Sequence, residues 1–327
     1  MYKSILDKRL ILVLGKGGVG RSTVAASMAS LCAKRGRRTL LFQANAKDRF
    51  ASYFNVDALG TEISRLEPNL YAVNTTPAAA IEEYGLMILR WRRVYNLVFE
   101  NKIVKHFLRA IPGFDDYSII GKAWFHTTEE KRGQPIWDTV VFDMPASGHS
   151  LAMLKIPKVI IETVPEGPLT RDARSLLSLL RDPLRTAIAL VTLAEEMPAN
   201  EARELNDKLK TELELTPHAL IVNQLFPNHA PPGSPTRRVL DALRGVPQLN
   251  RDLKAITDHA NLSQARRDLQ NTYLATLTQD LGLPPLELPL LFSPIERAQI
   301  ATLAKQLDKQ LDSTAVRSAS NALPTSA

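Results

Sequence analysis

Short apolar runs alternate with longer segments of helical periodicity along the whole chain. The apolar runs predict buried strands at residues 10–14, 39–42, 70–73, 137–142, 186–193, 218–223 and 286–291. The helical segments between and after them lie at residues 22–34, 77–108, 169–180, 200–213, up to about 281, and 294–311. A strand, a helix and a strand at this spacing form a parallel βαβ unit. We therefore predict an α/β fold, a mostly parallel sheet flanked by helices.

The stretch at residues 77–108 is helical in pattern and unusually apolar, with aliphatic, aromatic and methionine side chains at helical spacing. We favour core packing as its explanation, and it is also the best candidate for a surface that meets a hydrophobic client or partner. The domain prediction is one domain over residues 1–312, with a helical subdomain at about 76–131. The small, polar residues 313–327 are predicted to be disordered.

A glycine-rich turn lies between the first strand and the first helix. Its sequence is Gly15-Lys16-Gly17-Gly18-Val19-Gly20-Arg21-Ser22-Thr23. This is the spacing of a phosphate-binding P-loop, G-x-x-x-x-G-K-[ST], with arginine at the lysine position. The glycines let backbone N–H groups turn towards a phosphate, and the helix N-terminus favours the same anion. Ser22 stands where this motif supplies a hydroxyl to Mg²⁺. A turn without a ligand is the alternative, which the four glycines make unfavourable.

A second candidate position is the acid that ends a buried strand. Asp143 directly follows the predicted strand at residues 137–142, which is the Walker B arrangement that holds the water shell of Mg²⁺. In a parallel sheet, ligands bind at the carboxyl ends of the strands. The P-loop, Asn45, Asp143 and Asn223 all fall at such ends, so we expect them to meet at one site.

Composition limits the class of protein. The 327 residues are 45% hydrophobic and 23% charged, as in a soluble globular protein. No transmembrane segment or signal-peptide core is predicted, and we expect a cytoplasmic protein. The single cysteine, Cys32, excludes a disulfide framework, a Cys-x-x-Cys zinc site, a shared iron–sulfur cluster and a thiolate site for arsenite. We expect Cys32 to be a small buried apolar residue.

The net charge of +7 raises the question of nucleic acid or an anionic membrane surface as a partner. The basic residues occur as short arginine clusters scattered along predicted helices, which is typical of solvated faces. No recognition-helix pattern or RNA-binding aromatic motif accompanies them. We therefore find no strong nucleic-acid signal.

With its early lysine, Lys16, the loop resembles the deviant Walker A motif of a class of dimeric ATPases. That class includes MinD, ParA, the nitrogenase iron protein and the ArsA-type ATPases. In it, the early lysine crosses the dimer interface to the partner's nucleotide. The resemblance therefore implies a nucleotide-sandwich dimer in which Lys16 has the crossing role.

Four further segments resemble motifs of the ArsA-type ATPases, which include the arsenical pump-driving ATPase and factors that target tail-anchored membrane proteins. Residues 112–116, PGFDD, resemble the P-G-x-D-E turn, and residues 143–151, DMPASGHSL, resemble the D-T-x-P-T-G-H-T-L switch. Residues 191–198, VTLAEEMP, and residues 222–224, VNQ, resemble the V-T-x-x-E-E-M-P segment and the V-N-Q motif. The resemblance covers the chain up to about residue 311. It implies ATP or ADP and Mg²⁺ as cofactors, with Asn223 at adenine, Ser22 and Asp143 at Mg²⁺, and residues 147–149 sensing the γ-phosphate.

The candidate catalytic positions are Lys16, Arg21, Asn45 and Asp143. Two of them, Arg21 and Asn45, depart from that family pattern. Arg21 replaces the compact lysine with a broad, planar guanidinium. Asn45 replaces the aspartate that positions and polarises water, and an amide cannot accept the proton. These changes predict weak or absent hydrolysis with nucleotide binding retained.

Three functions follow from this sequence. The first is a nucleotide-dependent dimeric switch, either a homodimer or a heterodimer with an ArsA-like paralogue, that acts on a partner or a hydrophobic protein client. The second is a fully active ATPase of the same family. The third is a ParA-like switch that binds nucleic acid or a surface, which we rank last because the distinctive segments are not of that group.

Overall fold

The computed structural model describes residues 5–89, 113–244, 246 and 249–320. The strands are β1 Leu10–Gly15, β2 Thr39–Ala44, β3 Ser64–Glu67, β4 Leu70–Thr75, β5 Glu130–Lys131, β6 Gln134–Pro135, β7 Thr139–Asp143, β8 Thr186–Leu193, β9 Ala219–Leu225 and β10 Pro285–Pro289. The helices are α1 Arg21–Lys34, α2 Phe50–Phe54, α3 Pro77–Leu89, α4 Phe114–Thr128, α5 Ser147–Thr163, α6 Pro168–Arg181, α7 Glu196–Leu213, α8 Pro235–Arg244, α9 Arg251–Leu281 and α10 Arg297–Ser320.

Eight strands form one sheet in the order β10-β9-β8-β1-β7-β2-β4-β3. Every neighbouring pair is parallel except β3 and β4, which are antiparallel at one edge. Strand β1 lies inside the sheet between β7 and β8, so the loop that follows it opens at the carboxyl edge of the central strands. This confirms the predicted α/β fold with a mostly parallel sheet.

Both faces of the sheet are covered by helices, which explains why its central strands, such as β1, β7 and β8, are apolar and buried at nearly every position. Along β1, Leu10, Leu12 and Leu14 face a core packed against α4, α5, α6, α7 and α9. The alternate residues, Ile11 and Val13, face a second core packed against α1, α2 and α10. The two cores hold the strand ends, and hence the site, in a fixed arrangement.

Some helix ends differ from those predicted. Helix α7 begins at Glu196 rather than at residue 200, because Pro198 falls in its first turn, where a missing N–H breaks no helical bond. Helix α10 begins at Arg297 and continues to Ser320, beyond the predicted end at 311. Its apolar stripe ends at Leu311, but no glycine or proline follows within the helix. Residues 321–327 of the predicted disordered tail lie outside the described residues.

The predicted helical subdomain is described in part. Helix α3 covers the beginning of the apolar stretch at 77–108, and α4 follows after residue 113. Residues 90–112, and with them most of the proposed client surface, lie outside the described residues. Within the described ranges, no helix is long and apolar enough to cross a membrane.

Cys32 is fully buried in α1, as predicted, and burial raises the pKa of its thiol to about 12. Because the thiolate is the reactive form, we expect a disulfide reagent at pH 8 to leave the native protein unlabelled. Unfolding in guanidinium should release one reactive thiol per chain. The labelling rate in intermediate denaturant then reports opening of the core around α1. Rapid stoichiometric labelling without denaturant would contradict this burial.

Candidate functional site

The P-loop turns tightly at the end of β1, and two of its glycines are required by their surroundings. A Cβ on Gly15 would lie 2.3 Å from the Val191 carbonyl oxygen. Gly20 has φ +85°, and a Cβ there would lie 2.3 Å from Nδ2 of Asn223. Helix α1 begins immediately afterwards, at Arg21. Its free N-terminal N–H groups therefore border the loop, as an anion site requires.

The predicted metal-binding pair is brought together. The Ser22 hydroxyl donates to Oδ2 of Asp143 at 2.6 Å, and Asp143 is only 7% exposed. Burial raises the pKa of Asp143, while the Ser22 hydrogen bond and the charges of Arg21 and Arg49 act in the opposite direction. A hydroxyl beside a carboxylate at a helix N-terminus is a donor set that suits Mg²⁺ with phosphate ligands. The residues present therefore fit the ion.

The Arg21 side chain is directed towards the segment that follows β7. Its Nη1 donates to the Met144 carbonyl oxygen, just after β7, at 2.7 Å. Burial lowers the pKa of Arg21, Asp143 raises it, and Arg49 lowers it further. The guanidinium nevertheless stays protonated at neutral pH. Arg21 thus carries a positive charge to the loop and binds it to the segment that follows Asp143.

Asn45 is exposed at the end of β2, where its backbone N–H donates to the Thr75 carbonyl oxygen at 2.8 Å. Its φ of +41° is left-handed, a conformation that asparagine tolerates better than most residues. Asn45 therefore lies at the cleft and presents an amide there, not a carboxylate.

The P-loop, the end of β2 and the segment after β7 enclose a cleft of about 610 Å³. That volume is within the usual range of small-molecule sites. Its lining includes most of the predicted site, namely Gly18, Gly20, Arg21, Ser22, Thr23, Asn45 and Asp143. The structure therefore brings together residues that lie far apart in sequence.

Two predicted site residues have contacts that the sequence did not indicate. Asn223 is 4% exposed, and its Nδ2 donates to the Val19 carbonyl oxygen at 3.0 Å. The Asn223 side chain therefore stabilises the P-loop through this hydrogen bond, while its neighbour Gln224 lines the cleft. The adenine contact of Asn223 stays a prediction. Lys16 forms an ion pair with Glu201 of α7 in its own chain, with Nζ and Oε1 2.5 Å apart.

The structure pairs two residues of the motif segments at the cleft and adds cleft residues that no motif included. Asp116 at the start of α4 and His149 at the start of α5 both line the cleft, and Oδ1 of Asp116 lies 2.8 Å from Nε2 of His149. Both lie within motif segments, which was the available signal, but their pairing depends on the fold. Gln43 and Arg49 also line the cleft, and no sequence pattern singled them out.

Several arginines of the basic clusters are paired within the chain. Arg35 binds Asp308 and Asp312, Arg237 binds Asp268, and Arg267 binds Glu287. These carboxylates belong to other elements of the fold, α9, β10 and α10, so the arginines connect separate parts of the chain. This use of their charge supports the low rank of the nucleic-acid alternative.

Comparison with known proteins connects this chain to one family. The family described as anion-transporting ATPase matches residues 8–166 and 168–239. ATPase BagA of Mycobacterium tuberculosis is 26% identical, over 92% of this chain and 93% of its own length. A protein of Halobacterium salinarum named as an arsenical pump-driving ATPase is 27% identical, over 68% of this chain and 35% of its own. ATPase ASNA1 homolog 1 of Paramecium tetraurelia is 26% identical, over 48% and 47%.

Proposed function

The chain belongs to the ArsA ATPase family, described as anion-transporting ATPases, and on that premise we propose that it is a nucleotide-dependent dimeric switch. In this proposal ATP or ADP binds with Mg²⁺ in the P-loop cleft, and hydrolysis is weak or absent. The observation that carries it is the state of the two altered positions. Arg21 is bonded to the Met144 carbonyl, and Asn45 stands where the resemblance implies a water-activating aspartate.

Nucleotide binding is supported by the parts of the cleft that are intact. The left-handed glycines, the N-terminus of α1 and the Ser22–Asp143 pair together offer N–H donors and oxygen ligands to a polyphosphate and its metal. Ser22 and Asp143 would hold Mg²⁺, which would supply positive charge next to the phosphates. Arg21 and Arg49 add positive charge beside Asp143, so affinity for an anion does not depend on a lysine at position 21.

Weak hydrolysis follows from what these side chains can do. An amide at position 45 can orient water, but it has no basic oxygen to take the proton. The Arg21 guanidinium donates a hydrogen bond to a backbone carbonyl. That hydrogen bond must break before the guanidinium can stabilise the negative charge that develops on the phosphates in the transition state. Both changes remove stabilisation of the transition state and leave ground-state binding in place, which is what a switch requires.

The partner in this proposal is a second copy or an ArsA-like paralogue, together with a hydrophobic protein client. Support for a client comes from an apolar cavity of about 60 Å³ between α3 and α4. Four of its ten lining residues are aromatic, namely Phe114, Tyr117, Trp124 and Phe125. An apolar recess near the surface is the kind of feature that hydrophobic recognition uses.

One observation favours a second candidate, a fully active ATPase. Asp116 and His149 form a carboxylate–histidine pair at the cleft. Such a pair can accept a proton from water, and it could replace the missing aspartate. The two candidates differ in a measurable way, because only the active enzyme loses turnover when Asp116 is changed to asparagine.

Nucleotide binding should appear as thermal stabilisation. With Mg²⁺ and ATP or ADP at 100 times the dissociation constant, we expect about 2.7 kcal/mol. Gly20→Ala should lose this ligand effect because its Cβ would collide with the Asn223 amide. Gly36→Ala is the matched control, since Gly36 also has a left-handed φ, +84°, but meets nothing within 4 Å. It should cost stability while keeping the ligand shift.

Two outcomes would overturn nucleotide binding at this loop. The first is wild-type protein that shows no shift with either nucleotide at millimolar concentration. The second is a folded Gly20→Ala variant whose ligand shift equals that of wild type.

A further inference from the structure

Gln43 is a buried polar residue that the proposed chemistry has not yet used. It is only 1% exposed at the end of β2, and it lines the nucleotide cleft. Its carboxamide oxygen, Oε1, has no hydrogen-bond partner among the described residues. Burying an amide oxygen without a hydrogen-bond partner is unfavourable. The Gln43 oxygen is therefore available to accept a hydrogen bond from a ligand in the cleft.

The sheet register places Gln43 beside the metal-binding pair. Gln43 pairs with Asp143 across β2 and β7, and Asp143 pairs with Val13 across β7 and β1. Alternation along the strands puts Gln43 on the face of Leu41 and Asp143 on the face of Val141, and these two apolar residues share the core beneath α1. Neighbouring strands are about 4.8 Å apart. The Gln43 oxygen and the Asp143 carboxylate therefore approach the same region from adjacent strands.

From this placement we propose that Gln43 is a positioning residue of the cation site. Its Oε1 accepts a hydrogen bond from a water molecule of the Mg²⁺ shell when nucleotide is bound, next to Ser22 and Asp143. The inference rests on the proposed nucleotide binding and deepens it. An acceptor here strengthens the coupling between metal and nucleotide, because the ordered water connects the ion to the sheet.

Metal–nucleotide coupling tests this role directly. The affinity for a fluorescent ADP analogue is measured in EDTA and in excess Mg²⁺, and the ratio of the two constants is the coupling factor. Gln43→Met keeps the approximate volume and removes the acceptor. It should leave affinity in EDTA within about twofold and lower the coupling factor by up to about tenfold, the upper end of the net worth of one hydrogen bond. Gln43→Glu supplies an anionic acceptor, and it should retain or increase the coupling.

Gln299→Met is the matched control. Gln299 on α10 also has a buried carboxamide oxygen without a partner among the described residues, but it is not part of the cleft lining. Its coupling factor should equal that of wild type. Binding of Mn²⁺ to the nucleotide-bound variants, followed by electron paramagnetic resonance, gives a second readout that does not depend on turnover.

The outcomes separate this inference from the function on which it rests. If wild type fails to bind the analogue under either condition, the proposed function is wrong. If wild type binds but folded Gln43→Met keeps the full coupling factor, the role of Gln43 is wrong. An equal loss of affinity of Gln43→Met in EDTA and in Mg²⁺ would also overturn it, because the residue would then be donating its N–H to phosphate.

Discussion

Restoring both altered positions should convert this protein into an active ATPase. We expect Arg21→Lys combined with Asn45→Asp to raise steady-state turnover by roughly 10⁴-fold, since each position controls roughly 10²-fold. Aspartate returns a base beside the attacking water, and lysine returns a compact ammonium that is free to reach the phosphates. Phosphate release by the purified protein in ATP and Mg²⁺ measures the effect.

The single variants should each recover much less than the double variant. Arg21→Lys alone leaves water without a base, and Asn45→Asp alone leaves a guanidinium bonded to Met144. The matched control is Arg65→Lys with Asn55→Asp. Asn55 is also left-handed, with φ +52°, and both control positions lie away from the cleft lining. The control should stay at the wild-type rate.

Wild-type turnover decides between the two candidate functions. A rate of 1 s⁻¹ or more, ordinary for an enzyme, would contradict weak hydrolysis and favour the active ATPase. In that case Asp116→Asn should lower turnover about 10²-fold, as expected for loss of a general base. If turnover stays high in Asp116→Asn, the Asp116–His149 pair is not the base.

The strands and the phosphate loop could be predicted because their signals are local. Buried parallel strands are continuously apolar, and the loop needs glycines at fixed spacing. Helix α2 and strand β3 escaped prediction because five and four residues are too few to show a period. The hairpin of β5 and β6, with two residues in each strand, escaped for the same reason.

The remaining features of the site depend on tertiary contacts. The sequence shows Gln43 only as a residue of a predicted strand. Its position beside Asp143 depends on the pairing register of β2 and β7. Asn223 could be placed at the correct sheet edge, but its bond to the Val19 carbonyl depends on how the P-loop lies over β9. The Lys16–Glu201 ion pair joins residues 185 positions apart, and no local pattern encodes such a contact.

The Lys16–Glu201 ion pair is expected to compete with dimer formation. In the proposed sandwich dimer, Lys16 must reach the partner's phosphates, but here it is bound to Glu201 of its own chain. Dimer closure must therefore exchange Glu201 for a polyphosphate. Both side chains are about one-third exposed, at 30% and 34%. An exposed pair is worth only about 0.2–1 kcal/mol, so this contact is weak enough to be exchanged.

Lys16→Ala should therefore weaken nucleotide-dependent association about 10²-fold or more, because a charge pair desolvated at an interface contributes several kcal/mol. Nucleotide affinity of the monomer should change less than about twofold, since Lys16 points to α7 in the separate chain. Glu201→Gln removes the competing carboxylate, and it should tighten association by up to about fivefold, the worth of the exposed pair. Sedimentation velocity with a non-hydrolysable ATP analogue measures both effects.

The control is the exposed ion pair of Lys155 and Glu212, which joins α5 and α7 away from the cleft lining. Lys155→Ala and Glu212→Gln should leave association unchanged. The partner can be a second copy or a paralogue with intact lysine and aspartate, so each variant is sedimented alone and with any co-purifying paralogue. A chain that stays monomeric in every mixture would remove the dimeric switch. A dimer that forms equally well with Lys16→Ala would remove the crossing role of Lys16, and unchanged association in Glu201→Gln would show that the intrachain pair does not compete with it.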